Sequence, residues 1–571
     1  MPTHHTPVHL AAAEAVAASA GVSATDLKVE APPRPELGDL AVGCFAIAKA
    51  QKKSPAQVAT EIAAALAPSG LIASATAAGP FVNFRLDRAA TFRWLVDAAL
   101  TNKLVPGTYG TGKTICIDYS SPNISKHLAY HHIRGTTIGH SLAQIFRALG
   151  FKVVGINFLG DWGTTHGMLL AAYNLWGAEE PLDISKLNAL YVKFRDGMKA
   201  NPELEQQGRI YFKKLEDGDP EVRALWQRFR DISWAEFEEI YKLLGIVFDE
   251  VRGESAYEPD MPGVLAELEA KGMLTESEGA QVVALEGEKN PTLIKTKDGT
   301  TLYTTRDIAA AKYRKATFDF TRSLYVVDRG QALHFRQLFK LLDKAGYEWA
   351  QACEHVPYGL IRLGGRKTAT RLGGVMLMRD VFKVAEAEVR EVIAAVNPNL
   401  PADVVDRVAP QIGIGAVVFA NLATQREKDI DFDLEKAVSL DGDSGPYIQY
   451  SHARCASIAR KAGETITSID GIDLTRLVHD AEWELAKKLL EFPEIVVRAG
   501  DNSEPHVVAH YLLSLSGEFS RWYTTGNGDP ALRVLVDDVP TRRARLALVA
   551  AVQATLATGL GLLGIAAPDQ M

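Results

Sequence analysis

Cysteine is scarce in this chain of 571 residues: Cys44, Cys116, Cys353 and Cys455 stand far apart and never as a CxxC pair. That excludes a disulfide framework and the usual zinc spacings, and it suits a reducing compartment such as the cytoplasm. Basic excess is lacking too. Lys and Arg total 62 against 70 Asp and Glu, a net charge of −8, which argues against a polybasic nucleic-acid binder but leaves room for a local basic face. The first ten residues hold no Lys or Arg, and Glu14 interrupts the apolar stretch behind them, so no signal peptide is expected. Strongly apolar runs are missing as well. Residues 546–567, "LALVAAVQATLATGLGLLGIAA", carry no charge over 22 positions. Gln553, Thr555, Thr558, three glycines and much alanine keep them weakly hydrophobic, whereas a membrane span wants about 20 strongly apolar residues. A buried terminal helix of a bundle is expected there, with no membrane partner.

What is present describes a globular enzyme, 47% hydrophobic and 23% charged, and too long for one core. Two composition breaks divide it. The turn-rich "VPGTYGTG" (105–112) follows an alanine-rich segment that ends in the alternating strand "GPFVNFRL" and a short helix. The stretch "AAVNPNLPADVVDRVAP" (394–410) sets three prolines between two helical patterns. Between the breaks, strand and helix signals alternate: "KTICIDYS", a helix over 131–149, "KVVGINFLG", then "SLYVVD", the helix "QALHFRQLFKLLDKAG" and "HVPYGLI". Units of this length read as a parallel sheet with helices on its faces. Residues 165–300 read as a long, mostly helical insertion, in which "SWAEFEEIYKLL" opens with a capping box, Ser233 with Glu236. The expected domains are 1–110, 111–395 with that insertion, and 396–571, the last helical almost to its end.

"GTYGTGKT", Gly107 to Thr114, satisfies the GxxxxGK[ST] pattern of a phosphate-binding P-loop. That mechanism needs a strand before the loop and a helix after it. Here a linker precedes and a strand follows, so the match is a decoy. The stretch "YSSPNISKHLAYHHIRGTTIGHSL", residues 119–142, meets the requirement instead. A strand ending at Tyr119 feeds a loop and then a helix that begins near His131. Lys126, His127, His131 and His132 lie at that helix start, where anions are attracted.

These residues, continued by "NFLGDWGTTHGMLL", resemble the signature of the class I arginyl-tRNA synthetases: SSPN, two residues, Lys, a HIGH-type tetrapeptide, a helix, then GDWG. The register places the motif on Pro122, Asn123, Lys126 and the tetrapeptide Ala129, Tyr130, His131 and His132; "TIGH" at 137–140 lies too deep in the helix. "PELGDLAVGCFAIAKA", "LYTTRDIAAAKYR", "YVVDRGQALHF", "DSGPYIQYSHAR" and "GLGLLGIAAPDQM" extend the likeness over the whole chain. The resemblance implies an α/β architecture. A Rossmann-type parallel-sheet catalytic domain would carry the helical insertion, between an N-terminal α+β tRNA-recognition domain and a C-terminal all-α anticodon-binding bundle.

The activity it implies is ATP-dependent adenylation of L-arginine, with Mg2+ accompanying ATP as substrate, and transfer of the arginyl group to tRNA(Arg) by a cytoplasmic monomer. No DNA partner and no resident structural metal are expected. It assigns catalysis to Lys126, His131, His132 and Lys367. ATP binding falls to His132, Gly160, Asp161, Gly163 and Lys367, and arginine binding to Asp118, Asn123, Tyr303, Asp307 and Gln331. Two departures from the family pattern stand out. Ala129 replaces the first His and His131 the glycine of the tetrapeptide, so a ring must swing aside or stack where adenine would lie. In "GGRKTATRLGG", Lys367, Thr368, Ala369, Thr370 and Arg371 occupy the KMSK-type loop without its second lysine, a place the resemblance gives to Lys126. A synthetase-like tRNA-binding or regulatory protein with impaired adenylation, or a ligase with another acceptor, is the competing reading. The basic "RVLVDDVPTRRARLAL", with Arg533, Arg542, Arg543 and Arg545, fits either tRNA phosphates or a solvated helix face.

Overall fold

The computed structural model describes residues 6–177, 179–295, 303–363 and 376–571. At its centre lies a five-stranded parallel sheet in the order Cys353–Tyr358, Arg322–Asp328, Thr114–Asp118, Lys152–Asn157, Glu250–Val251. Thr114–Asp118 is buried at four successive residues, the continuous pattern of a strand covered on both faces. From it the chain steps to Lys152–Asn157 on one side and on to Glu250–Val251 at the edge. It then crosses back to place Arg322–Asp328 on the other side. The order therefore reverses beside the central strand, and a crevice opens at the strands' carboxyl ends. Every strand expected between the two composition breaks contributes to this sheet. "GTYGTGKT" is a turn segment running into Thr114–Asp118, so no helix N-terminus follows it.

The insertion differs from its sequence reading in one way. "SWAEFEEIYKLL" does not begin a helix. It is the second half of Pro220–Leu243, which Asp219 caps by accepting from the Glu221 and Val222 amides. The buried positions Val222, Trp226, Phe229, Ser233, Phe237 and Ile240 follow one helical stripe, and a Ser-x-x-Glu pair sits on such a stripe as readily as in a cap. Ser233 is buried in mid-helix, where its hydroxyl donates to the Phe229 carbonyl and accepts from the Ser125 amide. The described residues of 165–300 are otherwise mostly helical, as expected, with strands only late in the segment. Beyond residue 243 come the edge strand Glu250–Val251 and a small antiparallel sheet of Thr275–Ser277, Ala280–Val283 and Thr292–Lys295.

The first hundred residues hold a four-stranded antiparallel sheet, Val29–Glu30, Leu40–Gly43, Phe81–Leu86 and Ile72–Ala78 in that order, with helices beside it. After Met378 the chain is helical, joined to the centre by a parallel pairing of Ile361–Leu363 with Ile430–Phe432. Of the three prolines expected to break the helices, Pro398 and Pro401 fall in a connection, but Pro410 lies inside Ala402–Leu422. The apolar C-terminal helix is Val539–Leu562. It is long and apolar enough to cross a membrane, and 67% of its most apolar window is buried within the protein. All four arginines of "RVLVDDVPTRRARLAL" bond to the protein itself. Arg545 is buried against Glu482 and the Ala531 and Arg533 carbonyls, and Arg543 pairs with Glu464. Arg542 and Arg533 donate to the Val536 and Gly526 carbonyls. All four cysteines are buried free thiols.

One side chain fastens the helical half to the sheet. Arg134, with no exposed surface, rises from the first turn of helix Ile133–Ala148. It donates to the carbonyls of Asn421, Gln425, Arg426 and Lys428 at distances of 2.8–3.1 Å, so it holds the C-terminal end of helix Ala402–Leu422 and the chain beyond it. Burial pushes its pKa down to about 10, and it stays charged at neutral pH. Arg134→Met strands those acceptors away from water at about 1–3 kcal/mol each. The first urea-unfolding transition should move to markedly lower midpoint, and Arg134→Lys should restore only part of it because an ammonium cannot span the same fork. An unchanged midpoint in Arg134→Met would show that water or neighbouring donors take over the acceptors.

Candidate functional site

The loop that leaves the central strand is strained and heavily tied. Ser120, Ser121 and Ser125 adopt φ values of 70°, 38° and 67°, a region that costs a non-glycine residue about 1–3 kcal/mol. Each is fixed by its surroundings. The Ser120 hydroxyl meets Thr136 and Tyr241 at 2.7 and 2.9 Å. That of Ser121 donates to Asp118 at 2.7 Å and accepts from the Phe158 amide. The GDWG turn is sewn to the same loop: the Gly160 amide donates to the Pro122 carbonyl and the Ile124 amide to the Gly160 carbonyl. A β-carbon on Gly160 would lie 2.2 Å from the Asn123 side-chain oxygen, so this close approach requires glycine.

A cleft of about 580 Å³ occupies the crevice at the reversal point of the sheet. Of the residues picked from sequence, Asp118, Asn123, His131, His132, Gly160, Tyr303, Asp307 and Gln331 line it. Tyr303, Asp307, Ala310 and Arg314 share one wall because their spacing of four, three and four places them on one face of helix Tyr303–Phe318. Two carboxylates of the lining, Asp307 and Glu254, are close enough to influence each other. Asp307 accepts from His334 Nε2 at 2.6 Å through one of its two oxygens. Glu254, another lining residue, is pushed up to about pKa 7 by burial, with Asp307 and Asp161 adding to the rise and Arg306, 3.7 Å away, opposing it.

Asp118 is already paired: it accepts from Arg314 Nη2 at 2.7 Å and from Ser121. Arg314 is buried between the rings of Phe158 and Tyr325; burial alone would lower its pKa, but Asp118 more than offsets this and raises it. The lining also includes the start of helix Ile133–Ala148. His131 and His132 lie ring to ring with centroids 4.1 Å apart, so His131 has not swung away from the helix start. The Ala129 carbonyl, 3.0 Å from His132 Nδ1, can only accept, so Nδ1 carries the ring's first proton. Burial, and to a lesser degree His131 and Lys126, hold the His132 pKa down to about 4. Its Nε2 can therefore donate only when an anion draws in a second proton.

The remaining predicted residues lie elsewhere. Asp161 is wholly buried outside the lining; its carboxylate accepts from the Ser255 amide and hydroxyl and from Arg230, and burial raises its pKa. Gly163, at φ 130°, begins helix Thr164–Trp176. Ala129 pairs with Leu377, and the Tyr130 amide donates to the Met376 carbonyl, while the Tyr130 ring is buried against Phe432. The Lys126 ammonium sits 4.9 Å over the Tyr191 ring. His127 faces away from the cleft, held by Glu236 at 2.5 Å and by Ser185 at 3.0 Å. Lys367, Thr368, Ala369, Thr370 and Arg371 lie outside the described residues. Sequence reasoning missed Glu254, Arg314 and His334. The helical spacing from Tyr303 and Asp307 could have found Arg314, and His334 follows Gln331 within one turn, but Glu254 carries no local signal.

Three family models match the chain: "Arginyl tRNA synthetase N terminal domain" over residues 8–86, "tRNA synthetases class I (R), catalytic domain" over 95–434, and "DALR anticodon binding domain" over 448–571. It is 43% identical over 548 residues to an arginine–tRNA ligase of Exiguobacterium sibiricum, covering 95% of each chain. It is 43% identical over 549 residues to one of Clostridium perfringens, covering 95% of this chain and 96% of the other. The arginyl-tRNA synthetase of Thermus thermophilus superimposes with a TM-score of 0.83 at 27% identity, over 99% of this chain and 100% of that one.

A guanidinium seated beside Glu254 would bind in a pH-dependent way. A guanidinium is attracted to the ionised carboxylate, so below a pKa of about 7 binding must first displace a proton. The dissociation constant of free arginine should weaken about tenfold per pH unit below that value and level off above it. Glu254→Gln should remove the slope and bind more weakly throughout. Calorimetry between pH 5.5 and 8 checks both, and a wild-type affinity flat across that window would mean that Glu254 does not face the ligand.

Proposed function

The chain belongs to the class I arginyl-tRNA synthetases and is an arginine–tRNA ligase that uses ATP; on that ground we propose that the cleft beside Thr114–Asp118 is where L-arginine meets ATP. One observation carries this reading: two neighbouring carboxylates, Asp307 and Glu254, line the same cleft as a helix start bearing His131 and His132. A planar cation suits the first and a triphosphate the second.

In the reaction, an α-carboxylate oxygen of arginine bonds to the α-phosphorus of ATP as the bond to the β-phosphate oxygen breaks and pyrophosphate departs. A terminal ribose hydroxyl of tRNA(Arg) then attacks the arginyl carbonyl, gives up its proton, and AMP leaves. Tyr303 and Asp307 hold the guanidinium with Glu254. Asn123 and Gln331 offer polar groups to the amino-acid end, and Asp118, with Arg314, fixes the floor on which that end rests. His131, His132, Lys126 and Lys367 meet the phosphates, where developing charge calls for preset donors and cations. Gly160 brings backbone to the nucleotide, while Asp161 and Gly163 shape its turn. Mg2+ arrives with ATP as substrate.

We assign tRNA recognition to the units 1–110 and 396–571 flanking the catalytic unit 111–395. The helical unit holds a pocket of about 540 Å³ lined by Tyr450, Tyr523, Arg454, Arg460 and Lys461, a mixture of stacking faces and cations suited to single-stranded bases. The enzyme acts as a cytoplasmic monomer without DNA or membrane partners.

Purified enzyme should charge tRNA(Arg) with arginine and with no other amino acid; absence of charging would defeat the reading. Asp307→Ala should raise the arginine requirement far more than the ATP requirement, since a guanidinium left without its charged partner costs about 2–5 kcal/mol. Equal rises for both substrates in steady-state aminoacylation would place Asp307 in the framework instead.

A further inference from the structure

Lys126 stands on a backbone that cannot move far. The Ser125 amide before it is held by the buried Ser233 hydroxyl at 2.8 Å. His127 after it is held by Glu236 and Ser185, with Arg379 donating to the same Glu236 oxygen at 3.0 Å. Only the four-carbon stem is free to swing, a rotamer change rather than a loop movement. At present that stem carries the ammonium out of the cleft lining and onto the face of Tyr191, 4.9 Å from the ring centre. Tyr191 belongs to helix Ile184–Gly197, the helix whose Ser185 holds His127. Arg195, one turn further along, approaches the same ring less closely, at 6.0 Å. The ammonium stays near enough to the nucleotide end to lower the pKa values of His132 and His166.

We propose that Tyr191 is a positioning residue that seats the Lys126 ammonium outside the cleft lining, so that ATP must draw the lysine off the ring to bind. This rests on the reading that Lys126 serves the phosphates. The two seats compete for one cation. The ring contact stabilises the lysine outside the cleft, and ATP affinity is reduced by the fraction of molecules in which the lysine is so placed. A cation over an accessible aromatic ring gains about 0.5–1 kcal/mol. Removing the ring should therefore tighten ATP binding about two- to fivefold, the same quantity expressed as an equilibrium ratio.

The experiment is a double-mutant cycle on the full-length enzyme. Adenylate formation is followed in single turnovers as a function of ATP, with arginine and tRNA(Arg) saturating. Tyr191→Leu should lower the ATP concentration for half-maximal rate by that factor while the maximal rate holds. Tyr191→Phe, which keeps the ring, should return the wild-type ATP dependence. Lys126→Ala should lower the maximal rate about 10²–10³-fold, the loss typical of one preset electrostatic stabiliser. Adding Tyr191→Leu to Lys126→Ala should then change nothing further. If Lys126→Ala is as fast as wild type, the phosphate reading of Lys126 falls and the seat with it. If Lys126→Ala is slow but Tyr191→Leu is indistinguishable from wild type, or acts equally with and without Lys126, the seat alone is overturned. A raised ATP requirement in Tyr191→Leu also overturns it, since the ring would then be aiming the lysine at ATP. Thermal unfolding of each variant, and Tyr191→Gln as a second ring deletion, separate these outcomes from loss of fold.

Discussion

A single buried guanidinium sets the frame on which the catalytic machinery hangs. Arg134 follows His132 by two residues and spends its donors on carbonyls of the chain 421–428. A buried cation without a carboxylate partner is tolerable only where several oxygens replace its water. Those oxygens come from Asn421 in the last turn of helix Ala402–Leu422, where backbone acceptors lack partners within the helix, and from the chain just beyond it. The same stretch of chain continues into Ile430–Phe432, which pairs with Ile361–Leu363 at the cleft's edge. Neither the histidine-bearing helix start nor that edge strand can shift without disturbing the helical unit.

The cleft itself follows from sheet topology and from how its charges are satisfied. Asp118, the most buried acid in its lining, spends its charge on Arg314 and so cannot compete for a substrate cation. Asp307 and Glu254, by contrast, keep unspent acceptor capacity. The cleft thus joins carboxylates that can take a cation to a helix start whose N–H groups can meet an anion. The strained serines at the sheet end hold the loop in place: Ser120 and Ser121 are fixed through their hydroxyls and Ser125 through its amide.

Much of this was legible in the sequence because the relevant signals are local. The strands of the parallel sheet are short apolar runs, and the phosphate end is a continuous strand–loop–helix. Tyr303 and Asp307 fall within one helical turn. What escaped depends on contacts across long separations. Glu254 reaches the cleft only because the insertion returns as an edge strand. The pairing of Asp118 with Arg314 spans 196 residues, and nothing near Asp118 announces that its charge is already taken. Ser233 and Glu236 misled for a related reason. Their spacing satisfies a cap, but burial of Trp226 and Phe229 on the preceding turns carries the helix straight through them. The four arginines near the C-terminus looked available for phosphates, and their acceptors became apparent only once the helices were packed.

The scarcity of cysteine has a use once the fold is known. Each of the four thiols is interior, and burial pushes Cys116 up to about pKa 12 and Cys353 up to about 11, with Cys44 and Cys455 also raised. Thiolate, the reactive form, is therefore all but absent at neutral pH and out of reach of reagents. The native enzyme presents a sulfur-silent surface. A cysteine introduced on the solvent side of helix Ile184–Gly197, with a second on the helical unit, would accept a dye pair without competing background. The distance between the insertion and the RNA-facing half could then be followed through a catalytic cycle in otherwise unaltered protein.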